Sequence, residues 1–242
     1  MPLKGLICTA LLLAISAESN SVGTDDSINV DPWKPVKELA ASAMKGYYGA
    51  VAGFARKQLD YLDELADLVD RSAEEMKSAF ESPGKAALSV EKETKALYEQ
   101  GKADGKPDSY FDCLARHESG ALRDFRQIRD KLGASHSDAV RTMHRRLRVV
   151  RDVVTRLTDV LRHLLGRSED EVWQCRDAKC IEETVRQAYV VSVFGKKVLA
   201  ESTEPLSSDW KGFSQSLKEI AANAERAVDR ALEEGLRNLR RC

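Results

Sequence analysis

Hydrophobic positions recur along most of this chain at steps of three and four residues, the spacing of one face of an α-helix. The clearest run lies between residues 137 and 165. Its apolar residues are Val140, Met143, Leu147, Val150, Val154, Leu157, Leu161 and Leu164. No segment keeps the strict alternation of a half-buried strand. The pattern predicts an all-α protein made of long amphipathic helices.

Breaks between the helices are predicted where proline, glycine and short polar residues cluster. The first helix is expected to begin at the segment Asp31-Pro32-Trp33-Lys34-Pro35 and to end at Ser82-Pro83-Gly84. The linker 101–107 separates an N-terminal helical region, 34–107, from a second region, 108–242. Turns within the second region are predicted at 133–136, at 175–180 and near Pro205. The second region is therefore expected to be an up-and-down bundle of about four helices.

The cysteines of the second region are spaced symmetrically. Cys113 and Cys175 are 62 residues apart, as are Cys180 and Cys242. If each interval is a helical hairpin, all four sulfurs arrive at one end of the bundle. The nested pairing, Cys113 with Cys242 and Cys175 with Cys180, follows from this symmetry and is the one we predict.

The side-by-side pairing, Cys113 with Cys175 and Cys180 with Cys242, is the alternative that the spacing also allows. Either pairing links the bundle, and a disulfide typically contributes about 2 to 4 kcal/mol to stability. A zinc site at Cys175 and Cys180 is a poor match to structural zinc spacing, because four residues intervene and no histidine is near in sequence. We expect no metal and no cofactor.

The N-terminus has the pattern of a secretory signal peptide. Lys4 precedes an apolar run from Leu6 to Ile15, which small residues follow. This run is about half of the roughly 20 residues that span a bilayer, so no transmembrane anchor is expected. We predict that 1–19 is removed, that 20–33 is a flexible segment, and that the protein is secreted. Cys8 leaves with the signal, and an even set of four cysteines enters an oxidising compartment.

The overall charge excludes some partners. The chain has 38 basic and 39 acidic residues, a net charge of -1. Such a balance creates no global field for nucleic acid, which is therefore not an expected partner. The partner expected is an unknown extracellular protein or macromolecule, with lipid or sulfated glycan as further candidates.

Catalytic motifs are lacking in the sequence. The histidines, His117, His136, His144 and His163, form no HExxH pair, and neither a serine nucleophile elbow nor a glycine-rich phosphate loop occurs. The paired carboxylates fall on what the helical period predicts to be a solvated face. We predict that the protein is not an enzyme.

Charge is nevertheless sorted locally. Between 137 and 167 eight arginines stand against three aspartates, and Arg141, Arg145 and Arg148 fall on one helical face. This candidate anion-binding ridge suits sulfated glycans or anionic lipid headgroups. Between 57 and 75 seven acidic residues stand against two basic ones. We expect this acidic segment to pack beside the basic one and to occupy the ridge.

The stretch 46–55 is uncharged and rich in small residues, with Gly49 and Gly53 one helical turn apart. Small residues allow another helix to approach closely, and tight packing is the interpretation that we favour. In the alternative, the stretch lines a cavity or enters lipid, and Tyr47, Tyr48 and Phe54 are the apolar-ligand contacts.

Together these patterns predict a secreted, non-enzymatic helical interaction protein that recognises a protein or other extracellular macromolecule through its surface. The alternative functions are an extracellular carrier of lipid or another apolar ligand, and a binder of anionic glycans through the basic helix.

Overall fold

The structure is a computed structural model that describes residues 31–242. The predicted signal peptide, 1–19, and the segment 20–30 lie outside the described residues. The helices are α1 (Lys34–Asp70), α2 (Ser72–Glu75), α3 (Lys77–Ala103), α4 (Asp108–Gln174), α5 (Ala178–Thr203) and α6 (Pro205–Leu239). Residues 31–242 contain no β-strand. The prediction of an all-α protein is confirmed.

The start of α1 follows from its capping residues. The backbone N–H of Trp33 donates to Asp31 Oδ1 over 2.9 Å, and the N–H of Lys34 donates to the Asp31 carbonyl over 3.1 Å. Pro35 then stands in the first turn, where its missing N–H has no intrahelical partner to lose. The predicted beginning of this helix is confirmed.

The predicted turn at 133–136 is wrong. Helix α4 continues through it, so the region from Cys113 to Cys242 has three helices and not about four. One glycine costs a helix interior only about 1 kcal/mol relative to alanine. Leu132 and Met143, on either side of the segment, are both buried, so continued packing outweighs that cost.

The first helix does not end at Ser82-Pro83-Gly84 as predicted, because Pro83 lies buried inside α3. The chain breaks earlier, around α2. There the buried Ser72 hydroxyl donates to the Val69 carbonyl over 2.6 Å. Because the single hydroxyl proton of Ser72 is used in this bond, the hydroxyl oxygen accepts a hydrogen bond from His136 Nε2 over 3.0 Å. Serine hydroxyls that bond to nearby carbonyls compete with the regular helix ladder.

The described residues form two compact units that are discontinuous in sequence. Unit 1 comprises 31–60 and 151–202, and unit 2 comprises 61–150 and 203–242. Each unit therefore combines residues from both of the predicted regions, 34–107 and 108–242.

In unit 1, α1 runs antiparallel to α4. Lys37 Nζ donates to the Trp173 carbonyl over 3.3 Å, whereas Tyr48, further along α1, contacts Arg162, which lies earlier in α4. Helix α5 turns back on α4 after the 175–180 segment, and Gly195 lies against Leu161. Helices α1 and α5 therefore run in the same direction.

In unit 2, α3 packs along α6 and both contact α4. The core cluster consists of Ala86, Val90, Leu114, Ala121, Phe125, Val228 and Leu239. Gly235 lets the helices approach closely, because a Cβ there would lie 3.1 Å from the Cβ of Ala121. The predicted N-terminal helical region thus shares its core with the cysteine-bearing region.

The sulfur atoms stand in the nested pairs. Those of Cys113 and Cys242, in unit 2, are 2.09 Å apart, and those of Cys175 and Cys180, in unit 1, are 2.05 Å apart. Because α4 has no turn at 133–136, the reason for expecting all four sulfurs at one end of a bundle is lost. The two pairs belong to different units.

Candidate functional site

Unit 1 contains the two longest uncharged stretches of the described chain. One is 46–55 on α1, and the other is 187–195 on α5. The rings of Tyr47 and Tyr189 bring the two stretches together, with centroids 5.7 Å apart in an edge-to-face arrangement. Because α1 and α5 run in the same direction, the two stretches continue side by side from this contact.

Large apolar side chains on α5 are exposed beside this contact. The exposed fractions of Val190, Val193 and Phe194 are 58%, 50% and 63%, and Tyr189 is also exposed. These residues lie on the side of α5 opposite its buried positions, which include Ala188, Ser192 and Leu199. A contiguous group of exposed apolar side chains is typical of an interaction site.

The glycines of α1 lie on the exposed side of that helix. Among residues 31–242, no neighbouring atom lies within 4 Å of a Cβ added at Gly46, Gly49 or Gly53, so these positions are open. The expectation that the stretch packs tightly against another helix is therefore wrong for these glycines, whereas Val51 and Ala55 of the same stretch are buried. We call the surface formed by Gly46, Tyr47, Gly49 and Gly53 on α1 and by Tyr189, Val190, Val193 and Phe194 on α5 the unit 1 face.

Basic residues outnumber acidic ones around the unit 1 face. On α1, residues 39–59 include three basic side chains, Lys45, Arg56 and Lys57, and no acidic one. On α5, residues 184–200 include Arg186, Lys196 and Lys197. Arg186 and Lys197 pair with Glu183 and Glu201, which flank this range, and Lys45 pairs with Glu169 of α4. The face is therefore apolar, and three basic residues beside it, Arg56, Lys57 and Lys196, have no ion-pair partner in the described part of the chain. This combination suits an apolar partner carrying negative charge.

Of the three predicted apolar-ligand contacts, Tyr47 belongs to the unit 1 face, where its ring lies against that of Tyr189 on α5. Tyr48 instead accepts a hydrogen bond from Arg162 Nε over 3.0 Å, and the same guanidinium lies 5.9 Å from its ring centre. Phe54 is half-buried on α1. Val190, Val193 and Phe194 were not predicted as contacts, although the lack of charge between 187 and 195 was a signal for them.

The arginine ridge lies on α4 in unit 2. Arg141 pairs with Asp138 of its own helix at 3.3 Å, and its side chain remains exposed. Arg145 and Arg148 are exposed, and neither has an ion-pair partner within residues 31–242. The expectation that the acidic segment occupies the ridge is thus wrong for these two arginines. That segment reaches the basic one at Asp70, which is 2.8 Å from His144 Nε2.

Two side-chain clusters resemble catalytic or metal sites. Cys113, His117 and Cys242 have potential ligand atoms within 4.8 Å of one another, but both sulfurs are in the disulfide pair, which leaves the imidazole alone as a strong ligand. The Ser72 and His136 pair is not arranged for nucleophilic catalysis, because the serine is buried and its proton points to a backbone carbonyl.

Burial perturbs two titratable groups of unit 2. Desolvation lowers the pKa of His136, which packs edge-on against Phe80. Desolvation, and then the charge of Glu91, raises the pKa of Glu118. Near the start of α1, the hydrogen bond from Lys37 is the main cause that lowers the pKa of Asp31. None of these groups belongs to the unit 1 face.

Fold and site together define a class: an all-α protein with two disulfide-distance cysteine pairs and an exposed apolar face on one unit. No helix within residues 31–242 combines the length and the apolar character needed to span a membrane. Comparison with protein-family models, curated proteins and solved structures gave no match to this chain.

Proposed function

We propose that this chain is a secreted, non-enzymatic interaction protein that binds an extracellular partner through the unit 1 face. The observation that carries the proposal is the Tyr47–Tyr189 contact, which joins two uncharged stretches into one exposed surface. Support for secretion comes from the apolar run at 6–15 and from the two disulfide-distance pairs.

Surface binding has more support than carriage of an apolar ligand inside the protein. A cleft of about 510 Å³ in unit 2 is lined partly by Asp138, Arg146 and Asp209, and the last two form an ion pair. A smaller cleft of about 260 Å³ in unit 1 includes the charged pair Lys45 and Glu169. Ligand pockets for apolar molecules are lined mainly by hydrophobic side chains.

The test compares two variants as immobilised baits in the natural extracellular fluid. The face variant is Val190→Gln, Val193→Gln and Phe194→Gln. The control variant, Val153→Gln, Val160→Gln and Leu164→Gln, removes three apolar side chains of similar exposure from α4 in the same unit.

We expect wild type and the control variant to capture the same partner and the face variant to lose it. Circular dichroism checks that both variants stay helical. Equal capture by all three baits would show that the partner binds elsewhere.

A second function, anion binding by the arginine ridge, is favoured by the exposed, unpaired Arg145 and Arg148. It predicts heparin binding that survives physiological salt, where exposed charges are screened over about 8 Å. Changing Arg141, Arg145 and Arg148 together to Ser then has to abolish binding without unfolding. Elution of wild type below that salt concentration would exclude this function.

A further inference from the structure

We propose that the partner of the unit 1 face is the surface of an anionic phospholipid bilayer. This inference rests on the proposed function and names the class of partner. Three features of the face carry it: the exposed apolar side chains, the sign of the surrounding charges and the open glycine positions.

The apolar side chains match the chemistry of a bilayer interface. Phe194, Val190 and Val193 are exposed together on one side of α5. An amphipathic helix that lies on a membrane buries such a face about 5 to 10 Å into the boundary between headgroups and acyl chains. Tyr189 adds an aromatic ring with a polar hydroxyl, a side chain enriched at that depth.

The charges select an anionic surface over a neutral one. Of the six basic residues in the stretches 39–59 and 184–200, Lys45, Arg186 and Lys197 pair with glutamates. Arg56, Lys57 and Lys196 have no ion-pair partner in the described part of the chain, so they bind phosphate without breaking an existing pair. Each basic residue close to an anionic membrane raises the binding constant about fivefold.

The same charges disfavour a second copy of this chain as the occupant. Two unit 1 faces placed together bring six unpaired basic residues, twice the three of one face, to a single interface. Like charges that meet across an interface suppress pairing.

The glycines favour a membrane over a folded protein partner. Gly46, Gly49 and Gly53 leave a part of the face that has no side chains to form an anchoring pocket. Protein interfaces draw most of their binding energy from large anchors in well-packed pockets. A fluid lipid surface adapts to the face without such pockets.

The experiment is flotation of the secreted protein with vesicles in a density gradient. One vesicle type is pure phosphatidylcholine, and the other carries about 30% phosphatidylserine, a major anionic lipid of natural membranes. We expect wild type to float with the phosphatidylserine vesicles alone and to be released at 1 M salt, where the screening length falls to about 3 Å.

Three variants place the binding on the unit 1 face. The face variant is expected to bind more than tenfold more weakly, because burial of each large apolar side chain contributes about a factor of ten or more. Lys57→Gln and Lys196→Gln together are expected to weaken binding about 25-fold, from about fivefold for each lysine. The control variant on α4 is expected to bind like wild type.

Several results would overturn the inference. These are equal flotation with both vesicle types, loss of binding by the control variant as large as that by the face variant, or no flotation of wild type. A dimer in sedimentation that the face variant abolishes would also overturn it, by identifying a second copy as the occupant. If the face variant misfolds, the lysine variant and the two vesicle types still decide.

Failure of this inference and failure of the proposed function give different results. If wild type does not float but captures a protein that the face variant loses, the lipid inference is wrong and the proposed function stands. If the face variant changes neither flotation nor capture, both are wrong.

Discussion

Alanine substitution of the three open glycines of α1 tests the geometry of the unit 1 face directly. A Cβ at Gly46, Gly49 or Gly53 meets no neighbouring atom of residues 31–242 within 4 Å, so alanine adds no clash there. Alanine is more favourable than glycine in a helix interior by about 0.8 to 1.0 kcal/mol. Gly46→Ala, Gly49→Ala and Gly53→Ala together should therefore raise the free energy of unfolding by about 2 to 3 kcal/mol, if the contributions add.

Thermal unfolding followed by circular dichroism measures this gain. For a chain of this size, 1 kcal/mol corresponds to about 2 to 4 °C, so the triple variant should melt roughly 5 to 10 °C higher. Gly235→Ala is the matched control, because its Cβ would lie 3.1 Å from the Cβ of Ala121 in the core of unit 2. Crowding of about 1 to 3 kcal/mol then cancels or exceeds the helical gain.

A melting temperature that falls in the triple variant would refute this reasoning. It would mean that some part of the molecule packs against the glycines, as the small residues of 46–55 predict. The unit 1 face would then be covered and unavailable to any partner.

Two further predictions concern the disulfide pairs and His136. Non-reducing peptide mapping should recover Cys113 with Cys242 and Cys175 with Cys180. Replacing both cysteines of a pair with Ser should lower the free energy of unfolding by about 5 kcal/mol for the first pair, which is 129 residues apart, and by about 2 kcal/mol for the second, which is 5 apart. A larger loss of stability from the second pair would contradict the loop-entropy argument. Because burial lowers the folded-state pKa of His136, stability should fall as pH drops below about 6.5, where the unfolded chain binds a proton that the folded chain does not. His136→Gln should reduce the dependence of the unfolding free energy on pH by up to about 1.4 kcal/mol per pH unit. An unchanged pH dependence in urea titrations would exclude His136 as its source.

The helix boundaries that the sequence predicted correctly are those with a local chemical cause. The start of α1 depends on Asp31 and Pro35, and the break before Asp108 depends on the linker, where Gly105 adopts a positive φ of 66°. A residue with positive φ is rarely anything other than glycine, so such a signal is visible in the sequence.

The wrong boundaries are those that packing decides. Neither Gly133 nor Pro83 ends a helix, because the residues on both sides remain in a buried row. The destabilisation caused by one glycine or proline in a helix is a local effect. The stability gained by continuing the buried row of side chains depends on a partner helix that lies far away in sequence.

The unit 1 face was only partly predictable for the same reason. The uncharged stretch 46–55 was recognised, but whether its glycines were covered depended on neighbours that the sequence does not identify. The valines of α5 are β-branched and lower helix propensity, which by itself gives no indication that they are exposed. Their exposure follows from which side of α5 packs against Leu161, and only the assembled unit determines this.

The unit 1 face also departs from ordinary rules of helical sequences on both of its helices. On α1, glycine occupies open helical positions where alanine is more stable, and on α5 an aromatic and two β-branched residues stand exposed where polar residues are usual. Tyr47 and Tyr189 bring these two departures together on one surface. Departures from local sequence rules are expected at functional sites. The cost on α1 is in helix stability and the cost on α5 is in exposed apolar area, and the proposed binding at their shared surface would account for both.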